Sequence, residues 1–159
     1  MNEQQTVTIA EIEEESELAA DFIEELLDIA DLDGDLEIEI SERRAIISVS
    51  AEEDVLIDLS KTDAVTALQE IVRLVVQNKT GRYSRLVLDI GGSRKKREGE
   101  LARLVERAVE RLDAGASFAE LPPMSSYERK IIHSLVAERG YSSESKGEGA
   151  QRRTIIRPA

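Results

Sequence analysis

Arg129 and His133 stand four residues apart within Tyr127–Arg139, and at about 100° per residue that spacing stacks them one turn apart on a helix. Lys130 falls beside them, while Tyr127, Ile131, Ile132, Leu135 and Val136 gather on the other side. A guanidinium and an imidazole so placed can hydrogen-bond neighbouring phosphates or stack on bases. A solvated polar helix face has the same periodicity, so spacing alone leaves both readings open. Downstream, Ser143-Glu144-Ser145-Lys146-Gly147 offers hydroxyls and open backbone N–H groups to an anion, and Arg152-Arg153 adds positive charge. The nucleic-acid contacts expected are Arg129 and His133 first, then Lys130, Ser143, Ser145, Lys146, Arg152 and Arg153. These elements are expected to converge on one edge of a small sheet. Arg94-Lys95-Lys96-Arg97, at a helix start where cations oppose the dipole, forms a second candidate basic patch.

Other chemistries find less support. Ser125, Ser126 and His133 could be imagined as nucleophile and base, but Ser125 opens the helix that carries His133 and no acid is placed to orient the ring. The expectation is a protein that is not an enzyme. There is no Cys and one His, which excludes thiolate and multi-histidine metal sites. Asp31-Leu32-Asp33-Gly34-Asp35 has the look of a calcium loop, yet aligning its glycine puts Ile29 and Ile40 at the first and twelfth positions, where acids are required. It reads as a turn. No metal or cofactor is expected.

The elements that must position these residues follow from periodicity. Residues 1–16 read as an acidic lead-in, and Leu18, Phe22, Leu26 and Ile29 mark a helix over Glu17–Ala30. Leu36, Ile38 and Ile40 alternate with polar residues as a strand, and Ala45–Ser50 returns as its hairpin partner. A short segment at Asp54–Leu59 precedes a helix from Thr62 or Asp63 to Asn78. The wide apolar arc of that helix (Val65, Leu68, Ile71, Val72, Val75, Val76) predicts burial. Arg85–Ile90 is a third strand, giving helix–strand–strand–helix–helix–strand over residues 17–90. A charged helix spans Ser93–Asp113, Phe118–Leu121 is extended, and Ser125 with Glu128 forms a capping box that opens the Tyr127–Arg139 helix. Tyr141–Ser145 and Thr154–Arg157 close the chain as strands around a Gly-containing loop. The fold class is α+β, in two units.

Charge separates those units. Residues 1–80 hold five Lys/Arg and 22 Asp/Glu, net −17, whereas residues 81–159 hold 16 and 11, net +5. Only the second half has the sign to approach phosphates. Aromatics make up 3% of the chain with no Trp, which argues against a wide stacking platform. Met1–Ser16 has no apolar core and the apolar runs fall short of a membrane span, so the default is a soluble cytoplasmic protein.

Pro123-Met124-Ser125-Ser126-Tyr127-Glu128-Arg129-Lys130-Ile131-Ile132-His133 resembles the Arg-x-x-x-His signature of the R-three-H single-stranded nucleic-acid-binding domain. It is most similar to the version in the bacterial Jag family (SpoIIIJ-associated, also called KhpB or EloR). Ser143–Gly149 and Arg152-Arg153 match that family's tail, while Leu68-Gln69-Glu70, Arg85–Ile90 and Arg94–Arg97 resemble its KH domain and connecting helix. The resemblance covers roughly residues 36–157. It implies a type II KH-like domain over residues 17–92, then a connecting helix and R-three-H-like domain over 93–159, without the family's N-terminal Jag domain. It also implies an RNA-binding regulator of cell elongation and envelope growth, partnered by a small KH-only protein. The sequence departs from the family pattern at Ala150, where a Pro is usual. It departs again at Asp58-Leu59-Ser60-Lys61-Thr62-Asp63, where the Gly-x-x-Gly loop has no glycine. Bare backbone is what lets that loop approach phosphates. The alternative function is therefore a protein-interaction adaptor, its acidic KH-like half holding a partner and its RNA binding vestigial.

Overall fold

The computed structural model describes residues 6–52 and 54–159. They form two compact units, Met1–Arg94 and Lys95–Ala159. The first unit opens with α1 (Ile9–Ile29), which starts eight residues before the expected helix. Residues 1–5 of the expected lead-in lie outside the described residues; from Ile9 onward the lead-in is helical. The reason is a capping box. Thr8 Oγ1 accepts from Glu11 N at 3.2 Å, and Glu11 Oε2 accepts from Thr8 N at 2.8 Å. The buried stripe is also rotated from the expected one. Ile12, Ala19, Ala20, Ile23 and Leu27 face the core, whereas Ile29 is 79% exposed. Small residues in that stripe let the helix lie close to its neighbours.

Strands β1 (Asp35–Ser41), β2 (Arg44–Ser50) and β3 (Val87–Ile90) form a sheet in the order β1-β2-β3. The β1–β2 pair is an antiparallel hairpin, and β2–β3 is parallel, so the chain must cross over between them. That crossover contains α2 (Thr62–Thr80). Two of its side chains satisfy the outer edge of β3: Gln69 Oε1 accepts from Leu88 N at 3.1 Å, and Arg73 Nε and Nη2 donate to Leu86 O at 2.9 and 2.7 Å. A second consecutive helix is not formed. Residues 54–60 make turns instead, with Leu56 buried in the core and Ser60 N donating to Leu56 O at 2.9 Å. Gly91 (φ 57°) follows β3, and a Cβ there would stand 3.4 Å from that of Ser60.

The apolar arc of α2 is wider than its buried face. Val72 and Val76 are sealed in the core and Val65 and Leu68 lie against it, but Ile71, at the margin of the arc, is 49% exposed, and Leu74, outside the arc, is 64% exposed. An apolar arc therefore overstated burial: a helix on one side of a three-stranded sheet has a single face to cover.

In the second unit, α3 (Ser93–Asp113) runs on from the end of the first, and β4 (Ala119–Glu120), α4 (Ser126–Glu138), β5 (Tyr141–Lys146) and β6 (Arg153–Pro158) follow. The sheet order is β4-β6-β5, both pairs antiparallel. Leu101, Val105, Ala108 and Leu112 of α3, Ile132 and Val136 of α4, and Ile156 of β6 share one core. Ser143 and Ser145 lie on β5, in the segment expected to be a strand, opposite Ile156 and Thr154. Directly opposed residues share a face, so Ser143, Ser145, Thr154 and Ile156 face the helices, while Glu144, Lys146, Arg153, Ile155 and Arg157 face away. Gly147 (φ 91°) makes the turn out of β5; a Cβ there would stand 2.9 Å from Gln151 O.

The contrast within α1 and α2 gives a direct check. Ile23→Ala, removing a side chain 1% exposed, should cost about 2–5 kcal/mol, and Leu74→Ala less than about 1 kcal/mol. Chemical denaturation of the two variants measures this, and equal losses would contradict the exposed face of α2.

Candidate nucleic-acid interface

The helix that carries Arg129 and His133 is set by its first turn. Ser125 Oγ accepts from Glu128 N at 3.2 Å, and Glu128 Oε2 accepts from Ser125 N at 3.2 Å, which closes the capping box. Just upstream, Leu121 N donates to Thr154 O at 3.0 Å and Met124 N to Arg152 O at 3.2 Å, so the entry to α4 is laced to the chain around β6. Ile132 and Val136 then anchor the helix in the core, and the adjoining face, which carries Arg129 and His133, meets β5, an edge strand.

There the polar groups converge. Arg129 Nη1 donates to Ser145 Oγ at 3.0 Å, and Arg129 Nε donates to Met124 O at 3.3 Å. His133 Nδ1 lies 2.6 Å from Ser143 Oγ, and Nε2 lies 3.0 Å from Ser145 Oγ. A neutral imidazole donates from one nitrogen and accepts at the other. One arrangement satisfies every group: Nδ1–H donates to Ser143, and the Ser145 hydroxyl donates to Nε2 while accepting from Arg129. Neither Arg129 nor His133 is the freely solvated side chain that helical periodicity implies; both are half-buried against the strand. Burial lowers the pKa of His133, and the neighbouring Arg129 cation lowers it further. Burial likewise lowers that of Arg129, with the positive charge of Arg152 as the second cause.

The remaining candidates divide by position. Arg152 is exposed and near enough to act on Arg129 electrostatically. Lys130 is exposed on α4. Lys146 and Arg153 lie on the far face of the sheet, where Lys146 sits 3.4 Å from Glu144 and Arg153 is ion-paired with Glu120. Arg157 donates to Glu144 on that same face. The strand's alternation, visible in the sequence as Ser-Glu-Ser-Lys, is the signal that separates Lys146 from the two serines.

The second basic patch is also divided. Lys95 and Lys96 are exposed. The start of α3 is already capped, since Arg94 N donates to Asp89 Oδ1 at 3.1 Å. Arg97 is turned inward, with Nε donating to Glu128 Oε1 at 2.7 Å and Nη1 to Glu100 Oε2 at 2.9 Å. Burial acts to lower the pKa of Arg97, but the two carboxylates outweigh it and the value is raised. Periodicity gave no hint of this pairing, which joins residues 31 apart in sequence.

Hydrolytic chemistry has no support in this geometry. Ser125 is spent on the cap, and the imidazole nitrogen opposite Ser143 meets another hydroxyl rather than a carboxylate. Among the described residues no cluster of three or more His, Asp or Glu could hold a metal ion, and no helix is long and apolar enough to cross a membrane.

Residues 99–158 match the R-three-H domain family. The chain is similar to RNA-binding protein KhpB of Clostridium symbiosum, at 29% identity over 142 residues, covering 87% of this chain and 64% of that one. It is similar to RNA-binding protein KhpB of Bacillus subtilis at 26% identity, covering 77% and 60% of the two chains. With RNA-binding protein KhpB of Lactiplantibacillus plantarum it shares 25% identity, covering 77% and 38%. The chain spans less than two thirds of the length of each of these relatives.

The hydroxyl-bridged imidazole makes a pH prediction. The folded protein favours the neutral ring, so the stability contributed by His133 is present above the ordinary histidine pKa and lost as pH falls through the lowered folded value. NMR titration of the ring should place its midpoint below that of an unfolded control. Arg129→Met should move the midpoint upward, and an unmoved midpoint would separate the two side chains electrostatically.

Proposed function

We propose that this chain binds single-stranded RNA through the α4–β5 face and acts as a post-transcriptional regulator. The observation that carries the reading is the convergence of Arg129, His133, Ser143 and Ser145, with Arg152 close by, inside the residues that match the R-three-H domain. A half-buried guanidinium with donors to spare, beside hydroxyls that can rotate to donate, is suited to a phosphate oxygen. The similarity to RNA-binding KhpB proteins favours RNA as the ligand, although the same face would take single-stranded DNA. Arg129 and His133 lead this interface, joined by Lys130, Ser143, Ser145 and Arg152; Lys146 and Arg153 stand outside it. The link to cell elongation and envelope growth, and a cytoplasmic location, rest on resemblance to the Jag family.

The first unit is read as a type II KH-like domain that has lost ordinary RNA binding. Its helix–hairpin–helix–strand order and its parallel β2–β3 pair support the first half of that reading. The loop supports the second half: Lys61 Nζ is bonded to Asp58 Oδ1 at 2.7 Å, so the loop's cation is held by its own acid. Such a unit would serve as an adaptor for a protein partner, for which a small KH-only protein is the candidate.

Arg129→Ala should weaken binding to a short single-stranded RNA by about 1–3 kcal/mol, the scale of a lost charge-assisted contact, while the chain stays folded with only a modest loss of stability from the bonds to Ser145 and Met124. Unchanged affinity in filter binding would leave the Arg129–His133 cluster a structural contact between α4 and β5 and nothing more. In an NMR titration of the full chain with the same RNA, the resonances of residues 58–64 should stay still while those of α4 and β5 move. Saturating shifts at 58–64 would make the first unit a working RNA-binding domain.

A further inference from the structure

We infer that Arg97 is a positioning residue for the RNA contact, acting through Glu128 to hold Arg129 and His133 against β5; the inference rests on the RNA-binding reading of that face. Arg97 stands in the basic run Arg94–Arg97 and just outside the residues that match the R-three-H domain, so neither the run nor the match accounts for what it does. Its side chain is 31% exposed and forks to two carboxylates, Glu100 on its own helix and Glu128 on α4. Glu128 is 20% exposed, and its two oxygens do different work. Oε2 closes the cap of α4 at Ser125 N, and Oε1 receives Arg97 Nε.

The residue after Glu128 is Arg129. Its backbone N donates to Ser125 O at 2.9 Å, and its Nε donates to Met124 O at 3.3 Å. The backbone turn that Arg97 fixes is thus the same turn from which the Arg129 guanidinium hangs. If α4 were free to rotate by 20°, a side-chain tip on its surface would travel about 2 Å, enough to part Arg129 from Ser145 and His133 from both serines. A lysine at position 97 would keep the charge but not the fork, because one ammonium cannot hold a planar pair of directions toward two carboxylates.

The test uses the full chain and a fluorescein-labelled single-stranded RNA of 20 nucleotides, with Arg97→Met, Arg97→Lys, Glu128→Gln and Arg129→Ala, and Arg97→Met combined with Arg129→Ala. Arg97→Met and Arg97→Lys should each lose affinity, roughly tenfold. The double variant should lose less affinity than the two single losses combined, because part of what Arg97 does is exerted through Arg129. Without RNA, the His133 ring resonances should shift in Arg97→Met and in Glu128→Gln. The glutamine keeps an amide oxygen for the cap, so it carries the test should Arg97→Met fold poorly. Additive losses in the double variant, or full rescue by lysine, would mark Arg97 as a direct phosphate contact and overturn the proposal. So would wild-type affinity in Arg97→Met alongside a weakened Arg129→Ala, which leaves the RNA reading standing. An undiminished Arg129→Ala sinks the RNA reading itself, and the positioning role with it. Unmoved His133 resonances in both Arg97→Met and Glu128→Gln overturn the positioning directly.

Discussion

His133 touches two hydroxyls at once, and it can do so only if α4 lies along β5 at one depth and one rotation. That double contact constrains the whole C-terminal unit. Depth is set by Ile132 and Val136, both sealed in the core with Leu101 and Val105 of α3 and Ile156 of β6. Rotation is set at the helix start, where Ser125, Glu128 and Arg97 share a set of charge-assisted bonds. Height along the strand is set by the backbone bonds that tie Leu121 and Met124 to residues 154 and 152. Three kinds of interaction, apolar burial, capping and backbone pairing, thus converge on a polar cluster that would not hold its shape by itself.

Much of this was legible in the chain. The Ser125–Glu128 capping box, the Arg129/His133 spacing and the alternation of β5 are local patterns, and local patterns are what a sequence displays most clearly. What could not be read was whether the polar face of α4 met solvent or a strand, because 3.6-residue periodicity separates apolar from polar and says nothing of what covers the polar side. The Arg97–Glu128 pair was hidden for a related reason: a basic run looks alike whether its members point outward or across to another helix. In the first unit the error ran the other way. Dense acids disguised the Thr8–Glu11 cap, and the bulkier Leu18, Phe22 and Leu26 drew attention from the smaller residues that α1 buries.

The acidic first unit shows how a chain of net charge −12 can carry so many carboxylates near a folded core. Arg82 gathers three of them: its Nη2 lies 2.5 Å from Glu14, and its Nε lies 3.8 and 3.9 Å from Glu11 and Glu15. Glu15 is buried, and that burial raises its pKa against the opposing hydrogen bond from Ser84 and the charge of Arg82. One guanidinium therefore joins the first half of α1 to the segment after α2. The remaining acids of α1 stand outside the buried stripe in water, where salt screens the repulsion between charges more than about a Debye length apart.

The alternation of β5 fixes what kind of change that strand can absorb. Ser143 and Ser145 owe their partners to parity along an extended chain, and Glu144 and Lys146 owe their place on the far face to the same parity. Replacing one of these residues alters a single contact. Inserting or deleting one residue between Tyr141 and Gly147 would exchange the two faces, presenting a carboxylate and an ammonium to His133 in place of two hydroxyls. Two inserted residues would keep the faces but slide the hydroxyls by about 6.8 Å, more than one helical turn. In this short strand, length is therefore under tighter constraint than composition.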